Sequence, residues 1–181
     1  VPVVFSCARG LASSLDARLL GAYDGSGTWR VFVDELGTSE EQLFVEVHEG
    51  MHHELQASTG WGLVSAMASE LALRDFRSAE LRSFFDAMVE PSRNVHEMFA
   101  TAISSFVVGE NNARELLLGN LLYSEYLREA EALVPHAHAP SDAFHQAAIT
   151  AVLRAVMCPE SALNLLDIGY AQLTVEALVD E

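Results

Sequence analysis

The stretch VEVHEGMHHELQ, residues 45–56, places His48 and His52 four positions apart, with Glu49 directly after the first. On a helix, side chains at i and i+4 lie one turn apart on one face, so two imidazoles at this spacing can reach one metal ion. The helix carries the carboxylate after the first histidine to the flank. There it can take a proton from water bound to the ion. A wheel at about 100° per residue, with Leu43 at zero, puts Phe44, Val47, Met51 and Leu55 in one apolar arc. His48 and His52 follow at about 140° and 180°, at the edge of that arc, and Glu49 at about 240°. His53 falls beside Glu46 on the expected wet side. Zinc suits such a site, since it takes imidazole nitrogen and keeps an open position for water when it is catalytic.

His48-Glu49-Gly50-Met51-His52 resembles the signature of the zincin metallopeptidases. The resemblance implies Zn2+ on His48 and His52, with Glu49 as the catalytic base. It covers about twenty residues strongly and the remainder only in general architecture. Two places differ from the usual pattern. Glu46 stands two before the first histidine, where the family has an uncharged residue, and Glu54 stands two after the second, where it has an apolar one. The extended metzincin pattern is absent, because Leu55 and Ser58 occupy the places of its glycine and third histidine.

The resemblance to gluzincins implies a third ligand, a glutamate from a later helix. Glu97, in VHEMFAT, is the preferred residue, with Ala100 matching the family pattern and Thr101 standing where an acidic residue often lies. The wheel supports it independently. Val95, Met98, Phe99, Ala102, Ile103 and Phe106 form the apolar stripe of that segment, and Glu97 lies opposite with Ala100, Thr101 and Ser104. A face of small residues lets another helix approach closely. Glu70, beside Leu63 and Met67 on its helix, is the competing ligand, and His96 is a weaker third option. Tyr123 and Tyr126 are candidates to donate a hydrogen bond to a developing oxyanion. A core tyrosine with a wet hydroxyl is the plainer account of each.

Other residues carry weaker signals. His53 could pair with Glu49 across one turn, although a solvated acid–histidine face is the preferred reading. Glu54 could hold a ligand histidine only from another element. His136 and His138, in PHAHAP, could line a lid, with a polar loop as the default, and His145 is given no role. Trp61 could approach the metal, but a core tryptophan after a glycine is simpler. Neither a glycine-rich phosphate loop nor a Ser or Cys nucleophile motif is present, and Cys7 and Cys158 lack metal-ligand spacing. They could form one disulfide, but two unrelated thiols are preferred.

Helices must position these groups. Thr38 with Glu41, and Ser39 with Gln42, each fit a capping box, which starts a helix near Glu40. It should run to about Ser58, with Gly60 as its stop. Further helices are expected over 61–75, over 77–90 ended by Pro91, and over 93–108 capped by Ser92 and closed by Gly109. A long fifth should span 112–134, a sixth 141–157, and a seventh begins at Pro159. VPVVFSCA and the alternating TWRVFVDE read as short strands. The expected fold is one mainly α (α+β) domain over residues 1–181, a helical zincin-like unit with a small N-terminal β element.

Composition narrows the function. The 181 residues carry a formal net charge of −16, and all ten basic residues are arginine. Without a basic cluster, neither nucleic acid nor an anionic membrane is an expected partner. No apolar run reaches the length of a membrane span. VPVVFSCARGLASSL lacks the charged start of a signal peptide, so a cytoplasmic location is expected. The chain does not begin with Met, and whether it is a fragment stays open. The leading expectation is a zinc-dependent hydrolase, foremost a metallopeptidase acting on a peptide or protein substrate. TWRVFVDE, before the active helix, would supply an edge strand for that substrate. Two alternatives stand beside it. Two histidines and a carboxylate also make the Fe2+ site of non-heme oxygenases, and a closed site would suit a non-catalytic metal-binding interaction domain. Substrate and oligomeric state are open.

Overall fold

The computed structural model describes residues 5–9, 18–23, 29–31, 37–74 and 79–160, together with Ala162 and Asn164. The protein is mainly α-helical. A small antiparallel sheet in the order β1-β2-β3 is formed by β1 (Phe5–Arg9), β2 (Arg18–Tyr23) and β3 (Trp29–Val31). Phe5 faces Tyr23, Tyr23 faces Trp29, and a bulge lies between Cys7 and Ala8. β1 and β3 fall on the two expected strands. β2 was not foreseen, because RLLGAY shows no clear alternation of apolar and polar residues.

Among the described residues these helices follow: α1 (Ser39–Ser58), α2 (Gly60–Arg74), α3 (Ala79–Val108), α4 (Glu110–Leu117), α5 (Leu121–Ala132) and α6 (Asp142–Val156). A 3-10 turn, His136–His138, precedes α6. α1 packs on all three strands and, along much of its length, on α3. Its start is capped as the sequence implies, with Thr38 Oγ1 accepting from the Glu41 N–H at 3.1 Å. Its end lies where expected, but Thr59 makes the break with extended backbone and Gly60 opens α2. Gly62 has a different purpose. A Cβ there would sit 2.2 Å from the Gln56 carbonyl oxygen, so only glycine lets α2 turn this tightly against α1. Gly62→Ala should therefore lower stability by about 1–3 kcal/mol, the range for forced overpacking. A urea midpoint equal to wild type would refute this close approach.

Two expectations about helix ends fail. Pro91 does not end a helix but lies inside the 30-residue α3, and Ser92 is a buried mid-helix residue rather than a cap. An internal proline costs about 3 kcal/mol or more through a lost hydrogen bond and a steric clash. Here the turns beyond it bury Ser92, His96, Phe99 and Ala100, and that packing carries the helix through. The long fifth helix is in fact two. α4 stops at Leu117, and α5 restarts after Asn120, whose side chain accepts from the Tyr123 N–H at 3.3 Å. This break aims α5 so that Tyr123 turns into the core. Closure of α3 at Gly109 is as expected, and its φ of 87° suits glycine. α6 begins within a residue of the expected start, with Ser141 as its cap rather than its first helical residue. The seventh helix lies largely outside the described residues, of which Ala162 and Asn164 are helical.

The apolar core has two ends. Phe44, Val45, Val108, Ala113, Leu117 and Tyr123 form one cluster. Leu55, Phe99, Ala130, Ile149, Leu153 and Met157 belong to the other, and Trp61 packs against it, so that tryptophan is a core residue. Between Val45 and Leu55 on α1 lie the polar residues of the motif. Among the described residues no helix is long and apolar enough to cross a membrane.

Candidate metal site

His48, Glu49 and His52 are all fully buried. The wheel placed the two histidines at the edge of the buried face and Glu49 on its flank. The two histidines occupy its centre instead, and Glu49 is fully buried at its edge. The buried side of α1 is formed by Phe44, Val45, His48, Glu49, His52, Leu55 and Gln56, while Leu43 is exposed. The face is rotated toward the polar residues because α3 and α2 pack there, so hydrophobicity alone could not locate it. Glu46 is on the wet side as expected, bonded to Gln42 at 2.7 Å.

α3 supplies the partner surface. Glu97 is 5% exposed, and Ala100, Thr101 and Ser104 are fully buried, so the small-residue face meets a neighbour as the wheel implied. Glu97 Oε2 lies 3.3 Å from His48 Nε2 and 3.9 Å from His52 Nε2, and the two Nε2 atoms are 3.2 Å apart. Three atoms at these separations lie on a circle of radius about 2.0 Å, which matches zinc–nitrogen and zinc–oxygen bond lengths of about 2.0–2.2 Å. One ion can therefore touch all three. Without one, two buried imidazoles would face each other beside a buried carboxylate. Each of these groups is costly to bury unsatisfied. His48, His52 and Glu97 are the one group of this kind among the described residues.

The neighbouring histidine is kept uncharged. Burial pushes His96 down to about 3, and its ring lies 5.7 Å from that of His52. Burial, then the nearby His48 and His96, holds His52 well below the ordinary histidine value. Both rings are thus neutral at pH 7, the form that binds metal. The sign for stability follows. Below about pH 6.5 the unfolded chain takes up protons that the folded rings refuse, so each ring removes up to about 1.4 kcal/mol per pH unit on acidification. Chelator-treated protein should lose urea resistance between pH 7.5 and 5.5. A flat or rising midpoint would contradict this.

Both tyrosines reach the neighbourhood. The Tyr123 ring stands edge-on to His48 at 5.4 Å and lies 6.0 Å from Tyr126. Burial, then the charge of Glu97, raises the half-buried Tyr126 phenol above its usual value, so it stays a donor. Glu70 is exposed and is not part of the cluster. Glu54 bonds to Arg154 on α6 and holds no histidine. Arg154 also lies 5.9 Å from the centre of the Phe99 ring. His53 is half-buried, and Cys158 is a free, exposed thiol. The buried His96 was weighed only as a ligand; its place beside His52 left no mark in the sequence beyond adjacency to Glu97.

Comparison with known proteins finds no matching family model, no matching curated protein and no matching solved structure. The functional reading therefore stands on the site itself.

Proposed function

We propose that the protein is a metal-dependent hydrolase, foremost a zinc metallopeptidase. The observation that carries this reading is the convergence of His48, His52 and Glu97 on one point, with Glu49 buried on the same turn of α1. Two imidazoles and one carboxylate leave a tetrahedral ion one position for water. The ion would acidify that water and polarise a carbonyl. Glu49 would take the proton and pass it to the leaving amine. Tyr126, protonated and within the field of Glu97, or Tyr123 beside His48, would donate to the developing oxyanion. The likeness of His48–His52 to the zincin signature supports the same assignment.

The donor set also favours a second reading, since two histidines and one carboxylate form the facial triad of non-heme Fe2+ oxygenases. One experiment separates them. Protein loaded with Zn2+ is incubated with a peptide mixture, and new termini are read by mass spectrometry. Zinc-dependent cleavage that chelator removes supports the hydrolase. Bound iron with oxygen uptake and no cleavage would replace it with the oxygenase.

A further inference from the structure

A second polar cluster lies farther along α3, away from the metal site. A half-open cavity of about 220 Å³ is lined by α3, α4, α5, α6 and the 3-10 turn. Ala102, Phe106, Ala113, Leu127 and Ile149 give it an apolar wall. The carboxylates of Glu110, Glu131 and Asp142 also line it, and no arginine does. Glu110 is paired with Arg114 at 2.5 Å, whereas Glu131 and Asp142 have no ion-pair partner among the described residues.

Two further observations point to a ligand. Ser105 is 5% exposed, lines the cavity, and its Oγ has no hydrogen-bond partner. Its neighbour Ser104 shows the ordinary alternative, donating to the Ala100 carbonyl at 2.6 Å. Ser105 forgoes the equivalent bond, which leaves a buried hydroxyl unsatisfied, an unfavourable state unless a ligand answers it. The buried amide nitrogen of Gln146, also in the wall, lacks a partner too. The remaining polar pair is fixed. His145 Nε2 lies 2.5 Å from the Val134 carbonyl, and its ring centre lies 3.9 Å from that of His136, tilted by 32°.

We propose that this cavity is a second ligand site, taking a small organic ammonium ion with an apolar body and one hydroxyl or carbonyl oxygen. The ammonium has only donors, which suits the Glu131 and Asp142 carboxylates and the Ser105 hydroxyl. The apolar body fills the space between Phe106, Leu127 and Ile149. The ligand oxygen answers the Gln146 amide.

The test uses tyramine, phenethylamine and the anionic 3-(4-hydroxyphenyl)propionate on the full, chelator-treated chain, followed by calorimetry and by histidine resonances. Tyramine is expected to bind saturably, phenethylamine more weakly, and the anion not at all. Glu131→Gln and Asp142→Asn, both outside the packed core, should each weaken tyramine at least about fivefold while the melting temperature stays near wild type. Absence of saturable binding by either amine, equal binding of the anion, or unchanged affinity in both variants would overturn the site. Chelation removes the metal-site reading from the outcome, so failure here and failure of the hydrolase are separate results.

Discussion

Glu49→Gln is expected to bind metal as wild type does and to lose hydrolysis by a factor of about 10²–10⁴, the usual contribution of a positioned general base. The substitution conserves volume and hydrogen-bonding shape, so a fully buried side chain can be exchanged without opening a cavity. It removes the group that would accept the water proton under the proposed function, because a neutral amide has no comparable basicity. It leaves all three donors in place, since none belongs to residue 49. Stability should not fall much, because a buried carboxylate is itself costly. The decisive measurement is therefore kcat at equal metal content, with zinc assayed on the same sample. An unchanged kcat at full zinc would remove Glu49 from the mechanism. Loss of zinc together with activity would instead show that residue 49 supports the ligands rather than the water.

How much of this was legible depended on which forces decide each feature. Local signals worked where local physics governs. Thr38 caps α1 because its hydroxyl satisfies a free N–H group three residues on. The four-residue spacing of His48 and His52 needs only a helix to bring them together, and Glu97 was put forward by the resemblance to gluzincins, with the small residues beside it as support. Tertiary forces decided the rest. Pro91 is a strong stop signal, yet burial of the following turns outweighs it. The break at Asn120 hid inside a continuous apolar pattern, because its cap is a single side chain in a run that otherwise reads as helix. The face of α1 was misplaced for a related reason. Its centre is built from histidine and one edge from a buried glutamate, residue types that a hydrophobic wheel does not count as core. The same blindness covered the second cavity: Ser105 and Gln146 carry no sequence signal, and only an unsatisfied hydroxyl in a packed wall marks them.

Glu97→Ala should abolish stabilisation by zinc, whereas Glu70→Ala should leave it intact. A ligand that binds only the folded chain stabilises it by about 4.1 kcal/mol when its free concentration is a thousand times its Kd. For a chain of this length, each kcal/mol moves Tm by about 2–4 °C, so saturating zinc should raise wild type by roughly 8–16 °C. Glu97 supplies the only negative charge among the three donors and the only one from α3. Without it, two neutral histidines of α1 would bind the ion weakly, and the two helices would no longer be bridged. The difference between zinc-loaded and metal-free Tm is the correct readout. Metal-free Tm alone confounds two opposing changes, relief of a buried carboxylate and loss of its 3.3 Å partnership with His48. An exposed residue such as Glu70 lies outside the cluster and has no route to this difference. A full zinc shift in Glu97→Ala would show that α3 does not complete the site, and would return the choice of third ligand to His96 or to the ion's own waters.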